Sequence, residues 1–354
     1  MAGRYGLEVN SRKSQCMTFN MGAEVEEIEG VAVVDEIRYL GVKIEKRRNM
    51  FEGYRKELVN KAKWMSNLTY SVIEKSCHKV LIGKNYWKGV VLPRVLYGAE
   101  VVGLRSVDLD SMQRQENAAM RRMLGAGRGV AIAGMRGDIG IGTMRSRVAR
   151  GRLQYMRRVE QGENEMLRKV MRIVKLRGGD WIKETRRCMT WAGIEEEELK
   201  TMSKEAVKIR VAESVHREWR EEMEGKSSLK IYRRFKAEMR EEDFRGGMES
   251  RVWFGARTRS LKLGCRRWNE EDEGCRLCGA EKEDDEHFLL ECGRLEEIRG
   301  GSLELQRPRL EDVDEVMGRF LFGEGGEKER MKVLYGMWRH REREERRLAD
   351  VPVG

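Results

Sequence analysis

Residues 51–68, FEGYRKELVNKAKWMSNL, decide the fold class. Phe51, Tyr54, Leu58, Ala62, Met65 and Leu68 recur at steps of three and four, which is the apolar face of one long amphipathic helix. Upstream the period changes. Residues 15–19, 31–34 and 37–44 are runs of strand formers, and two or three antiparallel strands are expected there. Downstream the helical period returns repeatedly. One helix starts at Ser106, uses Leu109, Met112, Ala119, Met120 and Met123, and stops at Gly125. Another covers about 143–159 with Ala149, Leu153 and Met156 on one side. Val207, Val211, Val215 and Trp219 mark a third after Ser203. Near the end, Leu310, Val313, Val316, Phe320 and Leu321 define one helix, and Met331, Leu334, Tyr335 and Trp338 a last one, expected to fray in the charge run 339–347. The chain therefore reads as mainly α, with a small N-terminal antiparallel β-hairpin region.

Composition agrees with that reading and narrows the function. At 354 residues and 41.3 kDa the chain is long enough for a substantial core and two or three domains. Three prolines and 37% charged residues suit a helix-dominated protein. Lys and Arg exceed Asp and Glu by 71 to 60, a net +11 that favours polyanionic partners such as nucleic acid. No run of eighteen apolar residues occurs; the most hydrophobic segment, 89–104, is interrupted by Pro93, Arg94 and Glu100, so no membrane span is expected. The first twenty residues lack an apolar core and cleavage site, so no secretory signal is expected either. An odd number of cysteines argues for a reducing compartment, nuclear or cytoplasmic.

The most specific chemical pattern lies near the C-terminus. Cys275, Cys278, His287 and Cys292 form C-x2-C-x8-H-x4-C. Two thiolates separated by two residues reach one ion from a tight turn, and Gly274 and Gly279 flank that pair. The apolar segment 286–292 can form a short helix that delivers His287 from its first turn and Cys292 at or just past its end, where Gly293 lets the chain stop. Four protein donors would leave no position for water, so the expected cofactor is a structural zinc ion. Cys16, Cys77, Cys188 and Cys265 then remain as free thiols. The pair Asp284-Asp285 sits in an acidic run and reads as a solvated loop.

Two basic segments are candidates for phosphate. The helix at 143–159 carries Arg145, Arg147, Arg150, Arg152, Arg157 and Arg158, a row that could neutralise successive backbone phosphates; a merely solvated helix face is the competing explanation. Before the cysteine pattern, Arg251, Arg257, Arg259, Lys262, Arg266 and Arg267 surround Trp253, Phe254 and Trp268, a mixture that can hold phosphate while a base stacks on a ring. Core packing is the commoner use of those tryptophans. His216 reads as a surface or satisfied histidine. The glycine-rich stretch 125–142 reads as a loop or a place of close backbone contact, since no strand precedes it as a phosphate-cradling loop requires.

Several segments together resemble the C-terminal half of the polymerase protein of LINE-type, non-LTR retrotransposons. Gly6-Leu7-Glu8-Val9-Asn10-Ser11-Arg12-Lys13-Ser14 resembles the palm segment called motif D, with its N-x-x-K-[ST] core. Arg38-Tyr39-Leu40-Gly41-Val42 resembles the primer-grip hairpin that follows. Val91-Leu92-Pro93-Arg94-Val95-Leu96-Tyr97-Gly98-Ala99-Glu100 is similar to a thumb segment, and the cysteine-histidine pattern is similar to the zinc segment near the family's C-terminus. The resemblance implies that Arg38, Tyr39, Gly41 and Lys43 face a primer strand. It also implies a division into a palm-edge remnant (1–50), a helical thumb-like region (51–160), a charged helical connector (161–262), a CCHC zinc module (263–305) and C-terminal helices (306–354).

Polymerases of this family hold two catalytic metals with palm aspartates, including an aromatic-x-Asp-Asp turn. This chain has no such turn, and the lysine that matches Lys13, thought to assist pyrophosphate departure, has nothing here to assist. The expected function is thus a truncated reverse-transcriptase-like protein that binds RNA or primer-template without polymerising on its own. Two alternatives stay open: a protein-interaction module with structural zinc, or a fragment of a longer active RNA-directed DNA polymerase. Oligomeric state is not legible.

Overall fold

The computed structural model describes residues 10–19, 25–47, 49–244, 247–266, 273–300, 302, 305 and 312–349. Gly6, Leu7, Glu8 and Val9 of the motif D resemblance, Arg267, Trp268 and Leu310 lie outside them. The chain is mainly helical with a small antiparallel N-terminal region, as the periods predict.

Strand β1 (Glu27–Ile28) pairs with β2 (Val31–Ala32), and β3 (Glu36–Tyr39) with β4 (Val42–Glu45). Both turns have two residues with positive φ: Glu29 at 49° and Gly30 at 78°, Leu40 at 47° and Gly41 at 81°. Turns of this hand match the twist of the strands they join. The run 37–44 is consequently two strands folded at Leu40-Gly41, and the 15–19 run contributes one parallel bridge, Cys16 to Val33.

Helices α1 (Glu52–Glu74), α2 (Lys79–Tyr86), α3 (Leu92–Val95), α4 (Ser106–Leu124) and α5 (Ile132–Ile139) follow, with a π-helical turn at Trp87–Val91. Then come α6 (Met144–Gln161), α7 (Glu165–Arg177), α8 (Asp180–Ala192), α9 (Glu196–Thr201) and α10 (Lys204–Met223). The last are α11 (Lys230–Phe235), α12 (Gly247–Arg257), α13 (Glu296–Arg299), α14 (Val313–Phe322) and α15 (Glu327–Ala349). Of the face predicted from 51–68, Tyr54, Leu58, Ala62 and Met65 are buried, whereas Phe51, just before α1, and Leu68 are half-buried. Among the described residues no helix is long and apolar enough to cross a membrane.

The chain divides into two compact units, each assembled from separate segments: Met1–Trp64, Leu92–Gln113 and Met144–Arg210 in one, Met65–Val91, Arg114–Thr143 and Val211–Gly354 in the other. In the first, α6 packs against α7, α8 and α9, burying Leu153, Met156, Ile182, Met189 and Leu199. In the second, α12 lies along α15 and α11 on α14, around Trp253, Phe288, Phe320, Leu334 and Met337. The glycine-rich stretch 125–142 carries α5 between turn segments, and its Gly137 lies so close to Trp219 and Tyr232 that a Cβ would force them to shift.

Candidate metal centre

The cysteine-histidine pattern folds into one cluster. The donor atoms of Cys275, Cys278, His287 and Cys292 all lie within 4.8 Å of one another. Cys275 Sγ is 3.9 Å from Cys292 Sγ, and Cys278 Sγ is 3.3 Å from His287 Nε2. The first pair sits on a tight turn: the Gly279 N–H donates to the Cys275 carbonyl, and the Cys275 N–H to that of Ala280. Gly279 has φ +79°, a conformation that glycine adopts without steric cost.

The second pair explains its own spacing. Five residues along an ordinary α-helix leave two side chains about 140° apart around the axis. Here His287–Glu291 is a π-helical turn, closed by the Cys292 N–H donating to the His287 carbonyl across five residues, and the wider turn brings both side chains to one side. Asp284 caps its start, accepting from the His287 N–H at 3.0 Å. His287 Nδ1 faces Glu291 at 3.8 Å, which leaves Nε2 for the cluster.

The two buried thiols share a proton unequally. The Cys292 thiol hydrogen-bonds Cys275 and pulls it down to about 4 against the opposing effect of burial; N–H groups of Cys278 and Leu277 add to the pull. Cys292 is pushed up, first by Cys275 and then by burial.

Residues outside the pattern hold it in place. Glu283, 1% exposed, accepts the Gly264 N–H at 2.6 Å and two bonds from Arg341 of α15, at 2.6 and 2.7 Å. Its Oε1 is 3.9 Å from Cys275 Sγ. Arg299 donates to the Cys292 carbonyl at 2.8 Å. The Asp284-Asp285 pair is not a solvated loop: Asp285 is buried and takes Arg259 and Arg266 as ion partners. Nor does helix α15 fray at Arg339, since it continues to Ala349 with Arg341 buried. Sequence periodicity gives no sign of Arg341, which lies in a run where every residue but Leu348 and Ala349 is charged or His.

The candidate phosphate contacts disperse. Arg145 and Arg150 are exposed on α6, with Asp110 4.0 Å from Arg145, and Arg147 is half-buried with Nη1 3.7 Å from Met144 Sδ. Arg152 is buried and donates to the Leu104 carbonyl at 2.9 Å, so it is not placed to meet phosphate. Arg257 is buried too, bonded to Asp138 at 3.1 Å and Glu242 at 2.9 Å, with Tyr232 also donating to Asp138 at 2.7 Å. Arg259 bonds Asp285 at 3.1 Å. Trp253 belongs to the core. At the β3–β4 hairpin, Arg38 pairs with Glu57 at 2.7 Å and Lys43 with Glu36 at 2.7 Å, while Tyr39 and Leu40 stand exposed at the tip beside Gly41. His216 is satisfied, with Nε2 3.0 Å from the Ala237 carbonyl.

With this geometry in hand, comparison with known proteins adds no relative. No family model matches the chain, and neither curated proteins nor solved structures give a match.

Proposed function

We propose that the chain is a nucleic-acid-binding protein of the reverse-transcriptase-like kind whose C-terminal unit is fixed by a structural zinc ion. The observation that carries the zinc assignment is the spacing of the donors. Bonds of about 2.3 Å to sulfur and 2.0–2.1 Å to nitrogen, arranged tetrahedrally, separate two sulfurs by about 3.8 Å and a sulfur from a nitrogen by about 3.6 Å. The measured 3.9 and 3.3 Å fall close to those values. Three thiols and an imidazole are a soft donor set suited to zinc, and four of them complete its coordination. The same four positions are those that the resemblance to LINE-type polymerase proteins assigns to zinc.

Support for the nucleic-acid part is the net charge of +11, the exposed Arg145 and Arg150, and a hairpin tip that presents Tyr39 to solvent. Polymerisation is not part of the proposal. Asp284 and Asp285, the one adjacent aspartate pair, are used in a helix cap and in ion pairs.

Protein purified under reducing conditions is expected to carry one zinc per chain by elemental analysis, and to bind single-stranded RNA with an affinity that falls steeply between about 50 and 200 mM salt. Absence of metal defeats the zinc reading; salt-independent or absent RNA binding defeats the nucleic-acid reading and leaves the protein-interaction module. Primer extension by this chain would overturn its inactivity.

A further inference from the structure

Helix α7 is inside out. Only Met171 is buried on it, and on the same inner side Lys175 reaches Glu160 at 2.5 Å and Glu196 at 2.7 Å. Facing solvent are Met166 at 75% exposure, Leu167 at 38%, Val170 at 48%, Ile173 at 49% and Leu176 at 88%. At 3.6 residues per turn, Met166, Val170 and Ile173 fall within about 60° of arc, with Leu167 and Leu176 at the margins. A surface helix ordinarily turns such a stripe to the core. Lys169 and Arg177 lie beside the stripe, within about 70° of its centre, and Arg172 and Arg168 further round the helix, none with a partner among the described residues, against one acid, Glu165.

We infer that α7 is a docking helix for a protein partner that presents an apolar groove with an acidic rim. The anchors at i, i+4 and i+7 are those a groove reads from one side of a helix, and the unpaired Lys169 and Arg177 beside them call for carboxylates around it. Other occupants fit less well. Nucleic acid would satisfy the cations and leave five apolar side chains in water. A second copy docking α7 on α7 would set Lys169 and Arg177 against their own kind. A lipid surface would find no Trp, Tyr or Phe on the stripe, the residues that anchor helices at that boundary. A partner that encircles the helix is excluded, because the inner side is held by α6 and Glu196. The inference is independent of the zinc and nucleic-acid readings.

The test places a photo-reactive residue at Val170 of the full chain, with the exposed Glu163 as control position, in cells that express it. The cross-linked polypeptide is identified and produced separately. Expected are an adduct at 170 and not at 163, and salt-sensitive binding of the purified partner that drops at least tenfold in Val170→Glu/Ile173→Glu and falls in Lys169→Glu/Arg177→Gln, with thermal unfolding unchanged. No position-specific adduct, an adduct with this chain itself, or a partner whose binding ignores both variants overturns the proposal. So does binding to phosphatidylserine vesicles that the Val170→Glu/Ile173→Glu variant loses.

Discussion

The segment 275–292 and helix α6 were both singled out by residue type, and they behave differently in three dimensions. All four Cys and His side chains of the first converge within 4.8 Å. Of the six candidate arginines on α6, three are exposed, two are half-buried and one is wholly inside. The difference lies in how many jobs a side chain can do. Thiols and an imidazole with two, eight and four residues between successive donors suit few purposes besides a shared cation. A guanidinium is at home on phosphate, on a carboxylate, or on a carbonyl in the core. Arg257 between Asp138 and Glu242 shows the second use, and Arg152 on the Leu104 carbonyl the third.

The sharpest break of this comparison is at the cluster itself. Cys275→Ser, His287→Ala or Cys292→Ser should each abolish stoichiometric zinc and unfold the surrounding segment, since apparent zinc affinities of about 10–16 kcal/mol in small zinc folds are folding free energy. Cys265→Ser, outside the cluster, should change neither. Metal analysis and circular dichroism before and after chelation check both; a Cys292→Ser protein that keeps its zinc and its melting curve would reduce the cluster to coincidence.

Next in size is the buried cluster in which Arg257 meets Asp138 and Glu242. Asp138 is fully buried; burial pushes its carboxyl up, with Arg257 pulling the other way. Burial likewise pushes Glu242 up, yet Arg257 and Lys236 outweigh it and hold it low. Arg257→Met should cost about 3–5 kcal/mol in urea unfolding, because it leaves carboxylates without their cation, and the deficit should shrink when Asp138→Leu is added. RNA affinity, corrected for the folded fraction, should not move. A matching fall in affinity would return Arg257 to the binding surface.

Smaller still is the effect expected on α6. Arg145→Ala with Arg150→Ala should leave the melting temperature alone, weaken RNA binding, and lower the slope of log affinity against log salt by about one for each phosphate that is no longer neutralised. Arg152→Met should do the reverse, lowering stability because the Leu104 carbonyl is left without its donor. If the two variants had the same salt slope, exposure would not separate binding from structural arginines.

What the sequence discloses, and what it hides, follows the same line. The face at 51–68, the stop at Gly125 and the Val207–Trp219 stripe are legible because helical period is a local property. So is the thiol turn. Hidden are contacts made by residues far apart in the chain: Glu283 with Arg341, Asp285 with Arg259, the α5 helix that its glycines make possible by close packing on Trp219 and Tyr232. Each compact unit gathers three separated segments for the same reason. The solvent-facing stripe of α7 shows the limit from the other side: its period is as regular as that at 51–68, and nothing in the periodicity says which face turns inward.

Lys175 offers the finest distinction, because it is the one cation of α7 turned to the body of its unit. Burial lowers it, but bonds to Glu160 and Glu196 outweigh that and leave it raised above 10.5. Glu196 is held below its usual 4.5, chiefly by the bond from Lys175. A depressed carboxylate stabilises the fold above its unfolded value and loses that contribution as pH falls through the folded value. A raised ammonium stabilises below its unfolded value and loses the contribution as pH rises through the folded one. The pair should therefore contribute over the interval from 4.5 to 10.5 and fade beyond either end. Both groups keep some solvent contact, so Lys175→Met should cost less than about 1 kcal/mol near neutrality. The melting difference between Lys175→Met and the parent should be flat across that interval and close at each end, whereas Arg172→Met, on the outward side of the same helix, should show no difference at any pH. An Arg172 effect equal to that of Lys175 would mean that α7 is held from both sides, and its exposed stripe would then have a cover within this chain.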